Sequence, residues 1–214
     1  MTAVAFLLLI VTLVVAVGDW IAVYHGNRSL EYLCKPLTMV CLIGVAWAIE
    51  PDNTTARSWF IAALVLSLLG DVFLMLDHKP DRNLFVFGLG AFLLAHLAYV
   101  VGMLVDGVHG VGLLAGVLVV TVLILVVGTQ LTRAAYATET AMALPVMAYT
   151  AVISAMVIAA AGVGRPLGVL GAGLFYASDA MIGWQRFVNP HPWFPLAIIV
   201  TYHLGQTGLV LSLI

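Results

Sequence analysis

Apolar residues run along this chain in stretches of about twenty, broken at near-regular intervals by short polar connectors. Wound as a helix, a run of that length matches the ~30 Å hydrocarbon core of a bilayer. Counting such runs predicts eight helical spans, near residues 3–24, 32–50, 57–77, 84–105, 111–130, 140–162, 166–188 and 193–214. The connectors HGNRSLE, PDNTTA, DHKPDRN, DGVHG, LTRAAYATE, GVGR and NPHP are too short for an extramembrane domain. The expectation is therefore an all-α polytopic membrane protein, with residues 1–214 forming one eight-helix transmembrane domain. The first run has no basic residue ahead of it and no small-residue cleavage site before a polar region, so it reads as a membrane helix rather than a signal peptide.

Composition sharpens that reading. Of 214 residues, 64% are hydrophobic and only 8% charged, whereas a soluble domain carries about a quarter charged residues and needs them to cover its surface. A net charge of −2 with no basic cluster excludes nucleic acid as an expected partner. Cys34 and Cys41 fall on one face of one span, about 10 Å apart by helix rise, too far for a disulfide. They read as small packing residues. Cationic residues give the orientation. Arg28, Lys79, Arg82, Arg133 and Arg186 flank the first, third, fifth and seventh loops, against Arg57 and Arg165 on the other side. This predicts an integral protein of the cell (inner or plasma) membrane with both termini on the non-cytoplasmic side.

A faint repeat runs through the chain. Pro145, Asp179 and His203 follow Pro36, Asp71 and His96 at nearly one interval, about 108 residues. Duplication would make two four-helix halves of like topology, related by a pseudo-two-fold axis along the membrane normal. The two aspartates would then face each other across that axis. Three anchors leave duplication and coincidence both open.

The chemistry concentrates on those aspartates. Asp71 in SLLGDVFLML and Asp179 in GAGLFYASDAMIGW are bare carboxylates inside apolar runs. Each costs about 2.5–3.5 kcal/mol at the centre of a membrane helix. Counted from the cytoplasmic helix ends at 1.5 Å per residue, Asp71 lies about 9 Å deep, Asp179 about 13 Å, His203 roughly 15 Å and His96 roughly 18 Å. Lys35 stands near the cytoplasmic mouth of the second span. Five polar anchors from five helices thus fall in one half of the bilayer, which places the expected site nearer the cytoplasmic face. A purely structural role, bonding a neighbouring helix, is the competing reading for each aspartate alone. Two carboxylates close together in low dielectric would divide at neutral pH into one protonated acid and one ionised base, as hydrolysis requires.

The neighbours suit this chemistry. Tyr176 lies three residues before Asp179 and Ser67 four before Asp71, each on the aspartate's own face and able to donate to it. His96 shares a face with Tyr99, and His203 with Gln206. Lone membrane His and Tyr residues serve more often as hydrogen-bond donors between helices. Two histidines and two carboxylates would also suit a metal, but no HExxH or paired-Cys pattern supports one, so neither metal nor other cofactor is expected. Lys35 either snorkels to the interface or meets a lipid phosphate there.

An ordered set of motifs carries a resemblance. KPLTM at 35–39, S-x-x-GD-x-x-LM at 67–75, GLGAFLLAHLAY at 88–99, ALPVMAYTAVISAM at 143–156, GAGLFYASDAMIG at 171–183 and TYHLGQTGLVLSLI at 201–214 occur in sequence. The set resembles the YhhN family of integral membrane proteins, whose characterised members are lysoplasmalogenases, and it covers the chain from the second span onward. The resemblance implies an eight-helix hydrolase cleaving the vinyl ether of lysoplasmalogens to a fatty aldehyde and glycerophosphoethanolamine or glycerophosphocholine. It also implies Asp71 and Asp179 as the catalytic pair, with Lys35, His96, Tyr99, Tyr149, Ser178 and Gln206 as motif positions around them. His203 departs from the family pattern, where an aromatic or apolar residue is usual. The implied partners are membrane lipids and a lysophospholipid substrate entering from the bilayer. The oligomeric state is left open.

Two alternatives stand beside it. Gly-Asp on a membrane helix also suits an intramembrane aspartyl protease, but the full GxGD element is absent, since Leu68 and Leu69 precede Gly70-Asp71. A transporter would use the aspartates to bind protons or a cation. Against it, the carboxylates lie to one side of the midplane and few Gly or Pro residues interrupt the helices.

Overall fold

The computed structural model describes residues 1–77 and 84–214. Lys79 and Arg82, used for orientation above, lie outside the described residues. Within these, the chain is helical with no strands. Its helices are α1 (Ala3–Tyr24), α2 (Arg28–Ala48), α3 (Thr54–Leu76), α4 (Leu84–Asp106), α5 (Gly110–Leu123), α6 (Thr129–Thr138), α7 (Ala143–Val163), α8 (Pro166–Phe187) and α9 (Phe194–Leu211). A π-helical turn, Ile124–Gly128, joins α5 to α6 in one continuous span. Eight helices are then long and apolar enough to cross a membrane. The protein is an integral membrane protein, and the large apolar side chains left exposed, such as Val111, Leu118 and Trp47, are those a lipid solvent would cover.

Two boundaries differ from the hydrophobic count. The second span begins at Arg28, capped by the Asn27 side chain accepting from the Leu30 amide at 3.2 Å. Lys35 therefore sits two turns inside the helix rather than at its mouth. The connector LTRAAYATE is helical through Thr138, because it holds no Gly or Pro and buries Leu131 and Ala135 one turn apart.

The chain divides into two compact units, residues 1–106 with 210–214, and residues 107–209. In the first, α1 packs on α2, α2 on α3, and α3 most extensively on α4. Polar ties lace the helix ends: Thr2 Oγ1 donates to the Ala48 carbonyl at 2.8 Å, Asn53 Nδ2 to Val105 at 3.1 Å and the Tyr32 hydroxyl to Met75 at 3.1 Å. Beside Asp71, α4 approaches so closely that a Cβ on Gly70 would meet the Phe92 ring at 2.6 Å. The glycine before Asp71 is thus a packing requirement.

In the second unit, α7 packs on α5, α6 and α8. The α8–α9 crossing is built on glycine. A Cβ on Gly171 would stand 2.7 Å from both the Gly205 carbonyl oxygen and the Leu209 amide nitrogen. Small residues let the two backbones meet, which is how membrane helices gain packing energy without a hydrophobic driving force. Gly171→Ala is therefore expected to cost about 1–3 kcal/mol in detergent unfolding, because backbone cannot give way as a side chain can. Gly173, with open space around its Cβ position, should accept alanine without loss.

Candidate active site

The polar residues predicted from sequence sit in two clusters, one in each unit. In the first unit, the Lys35 ammonium on α2 lies 3.1 Å from Asp71 Oδ1 on α3. The Asp71 side chain is 2% exposed and that of Lys35 15%, so the ion pair is shielded from solvent. Such a pair is favourable only with both partners present, since either charge alone would be left in low dielectric. Pro36 follows Lys35 within the helix and removes one intrahelical amide bond there.

Ser67 does not take the role its spacing predicts. Its Oγ is buried one turn before Asp71 and makes no hydrogen bond among the described residues. Asp71 has a charged donor from the adjacent helix instead, a stronger partner than a hydroxyl. His96 and Tyr99 are both completely buried on α4. Tyr99 packs edge-on against Phe60 of α3, ring centroids 4.9 Å apart, and His96 reaches the Phe92 backbone one turn back. Tyr99 thus packs between α3 and α4.

A residue absent from the sequence reading joins this cluster. Asp19 on α1 is fully buried and lies in electrostatic range of Lys35, Glu31 and Asp71. Its signal was available: Gly18-Asp19 repeats the Gly70-Asp71 pattern, and each aspartate stands five residues before its helix end.

In the second unit, the Tyr149 hydroxyl on α7 donates to Asp179 Oδ2 on α8. The spacing argument names Tyr176 for this role; the structure turns Tyr176 toward Ser154 of α7 and supplies Tyr149 from across the helix pair. Residues three apart on one helix share a face, but a rigid phenol on the same helix points along it, whereas one on the facing helix points across. Ser178 Oγ donates to the Ile198 carbonyl at 3.1 Å, tying α8 to α9. His203 and Gln206 are buried on α9, and Tyr202 packs edge-on against Phe175. Among the described residues, no three His, Cys, Asp or Glu side chains gather as a metal site. Cys34 and Cys41 are free thiols.

Asp71 and Asp179 are therefore each held by a donor from a neighbouring helix, a cation for Asp71 and a neutral phenol for Asp179. Both aspartates lie inside the segment, residues 30–213, that matches the YhhN family. The chain belongs to the YhhN family. Its relatives include lysoplasmalogenase TMEM86B of Homo sapiens, 33% identical over 180 residues that cover 84% of this chain and 74% of the relative. The Mus musculus protein of the same name is 33% identical over 184 residues, 84% of this chain and 72% of its own. A lysoplasmalogenase of Mycobacterium tuberculosis is 33% identical over 168 residues, 76% of this chain and 62% of the relative. No solved structure matches the chain. Lys35, Asp71, Tyr149 and Asp179 fall within the family segment, while Asp19 precedes it.

Proposed function

We propose that this YhhN protein is a lysoplasmalogenase, hydrolysing the vinyl ether of a lysoplasmalogen to a fatty aldehyde and glycerophosphoethanolamine or glycerophosphocholine. The observation that carries the reading is the 33% identity to a protein named lysoplasmalogenase across 84% of the chain. The two buried carboxylates with unlike partners supply a mechanism that fits it.

In that mechanism Asp179, bonded by a neutral phenol, is the acid, and Asp71, balanced by the Lys35 ammonium, is the base. Asp179 gives its proton to the β-carbon of the vinyl ether, producing an oxocarbenium ion beside two carboxylates that stabilise it. Water attacks that cation and loses a proton to Asp71. The hemiacetal then collapses: its hydroxyl proton returns to Asp179 as the C–O bond to glycerol breaks, and Asp71 protonates the departing oxygen. Both carboxyl groups end as they began, and no co-reactant but water is consumed. Tyr149 orients Asp179, and Lys35 orients Asp71. Ser67, His96, Tyr99, Tyr176, Ser178, His203 and Gln206 support the helices that carry these groups.

The substrate is a lysolipid of the cytoplasmic leaflet, phosphate at the interface and chain in the hydrocarbon, with both protein termini on the opposite side. A vinyl ether a few ångströms below the phosphate would then meet carboxylates at their proposed depth. The test is aldehyde release from vinyl-ether lysophosphatidylethanolamine or lysophosphatidylcholine by purified protein in detergent, with no ion gradient. Aldehyde from these lipids, and none from the saturated ether analogues, is expected. No aldehyde from folded protein with either headgroup would turn the reading toward transport.

Tyr149→Phe removes one donor from Asp179 while keeping the ring. It is expected to lower kcat roughly tenfold to a hundredfold with KM nearly unchanged, because the lost bond orients the acid rather than the lipid. Initial rates across a substrate series check this.

A further inference from the structure

The mechanism leaves one buried ionisable group unused. Asp19 is the single charged residue of α1, a helix otherwise made of apolar side chains with Thr12 bonded to its own backbone. A buried carboxylate in a membrane span is retained where a partner offsets it. Three features indicate the partner. A Cβ on Gly18 would lie 3.5 Å from Cys34 Sγ, so Asp19 and Lys35, the residues next in sequence on these antiparallel helices, lie within about one turn of each other along the α1–α2 interface. Asp19 and Asp71 each lie about 8 Å from the ends of α1 and α3, and Lys35 about 10 Å from the start of α2, on the same side of this unit. The Lys35 ammonium attracts Asp19 as well as Asp71, with Glu31 one turn away on α2 as the remaining anion in range.

We propose that Asp19 is a positioning residue, a second counter-ion that keeps the Lys35 ammonium compensated while Asp71 carries the proton. The catalytic half of this assignment rests on the lysoplasmalogenase reading; the ionic half does not. When Asp71 takes a proton from the attacking water it becomes neutral, and its ion pair with Lys35 is lost for part of the cycle. A shielded cation left with only Glu31, in the first turn of α2, as counter-charge would oppose that proton transfer. A fixed anion on α1 removes the opposition and holds the ammonium in place for the proton's return. Asp19 lies outside the family segment, so the first span would thereby complete the Lys35–Asp71 cluster of α2 and α3.

The experiment uses the full chain in detergent as wild type, Asp19→Asn, Asp19→Glu, Lys35→Met and the double variant Asp19→Asn with Lys35→Met. Melting temperature reads the ionic contact without reference to activity. Asp19→Asn is expected to lower it by about 5 °C more in the wild-type background than beside Lys35→Met. Equal falls in the two backgrounds would overturn the assignment. An Asp19→Asn protein that folds only when Lys35 is also replaced gives the same support, and one that folds in neither background overturns it. Turnover reads the catalytic half. Asp19→Asn is expected to lower kcat roughly 30-fold with KM within about threefold, and Asp19→Glu to regain part of that loss. An unchanged kcat in Asp19→Asn would overturn this half. Coupled melting in a wild type that releases no aldehyde would reject the proposed reaction and retain the counter-ion.

Discussion

Asp71→Asn is expected to reduce aldehyde release at least about a thousandfold while leaving a folded protein. The asparagine side chain has the size of the aspartate and can still accept from the Lys35 ammonium, now through a neutral amide oxygen. What it cannot do is take a proton from water or return one to the leaving oxygen. General acid–base groups contribute about 10²–10⁴ in rate, and removal of the negative charge also withdraws stabilisation from the oxocarbenium ion, so the loss belongs at the upper part of that range. Asp179→Asn should be as severe, since without its proton the first step has no acid. The double variant should be little worse than either single one, as expected of groups that act as a unit. Single-turnover measurement on proteins shown to be folded checks all three. A loss under tenfold in either single variant would remove that aspartate from the chemistry.

Lys35→Met is expected to cost about 3–5 kcal/mol of stability, the range for removing one partner of a buried ion pair. The loss is not that of a contact alone. Asp71 is 1% exposed and would be left as a buried anion without the Lys35 cation. Replacing both partners, Lys35→Met with Asp71→Asn, should recover part of the stability, because the neutral pair needs no compensation while Asp19 still does. Unfolding in a denaturing detergent titration, read by circular dichroism, separates these cases. A cost below about 1 kcal/mol, the value of an exposed pair, would mean that water reaches the lysine and that Asp71 is not held by it.

These residues also mark how far the sequence could be read. The eight spans were legible because lipid demands about twenty apolar residues per helix, and that demand is written in order along the chain. Asp71 and Asp179 were legible because a charge in such a run has few uses. Their partners were not. Local spacing offers Ser67 and Tyr176, one turn away on the same helices, whereas the structure supplies Lys35 and Tyr149 from facing helices. Apolar faces all round give no phase to say which side of one helix meets which side of the next. The start of α2 is hidden for a related reason: Arg28 and Glu31 have the polarity of a connector, yet a capped polar first turn extends the helix outward and carries Lys35 inward. Asp19 carries the same Gly-Asp signal in the first span, but no spacing along the chain links it to Lys35 on the next helix.

Asp179 is the group proposed to protonate carbon, and an isotope reads that step directly. Purified protein turning over a vinyl-ether lysophospholipid in D₂O should release an aldehyde with one deuterium on the carbon beside the carbonyl, as mass spectrometry would show. Asp179→Asn should release essentially none. Unlabelled aldehyde, or labelled aldehyde released at the wild-type rate by Asp179→Asn, would contradict acid catalysis by this carboxyl group.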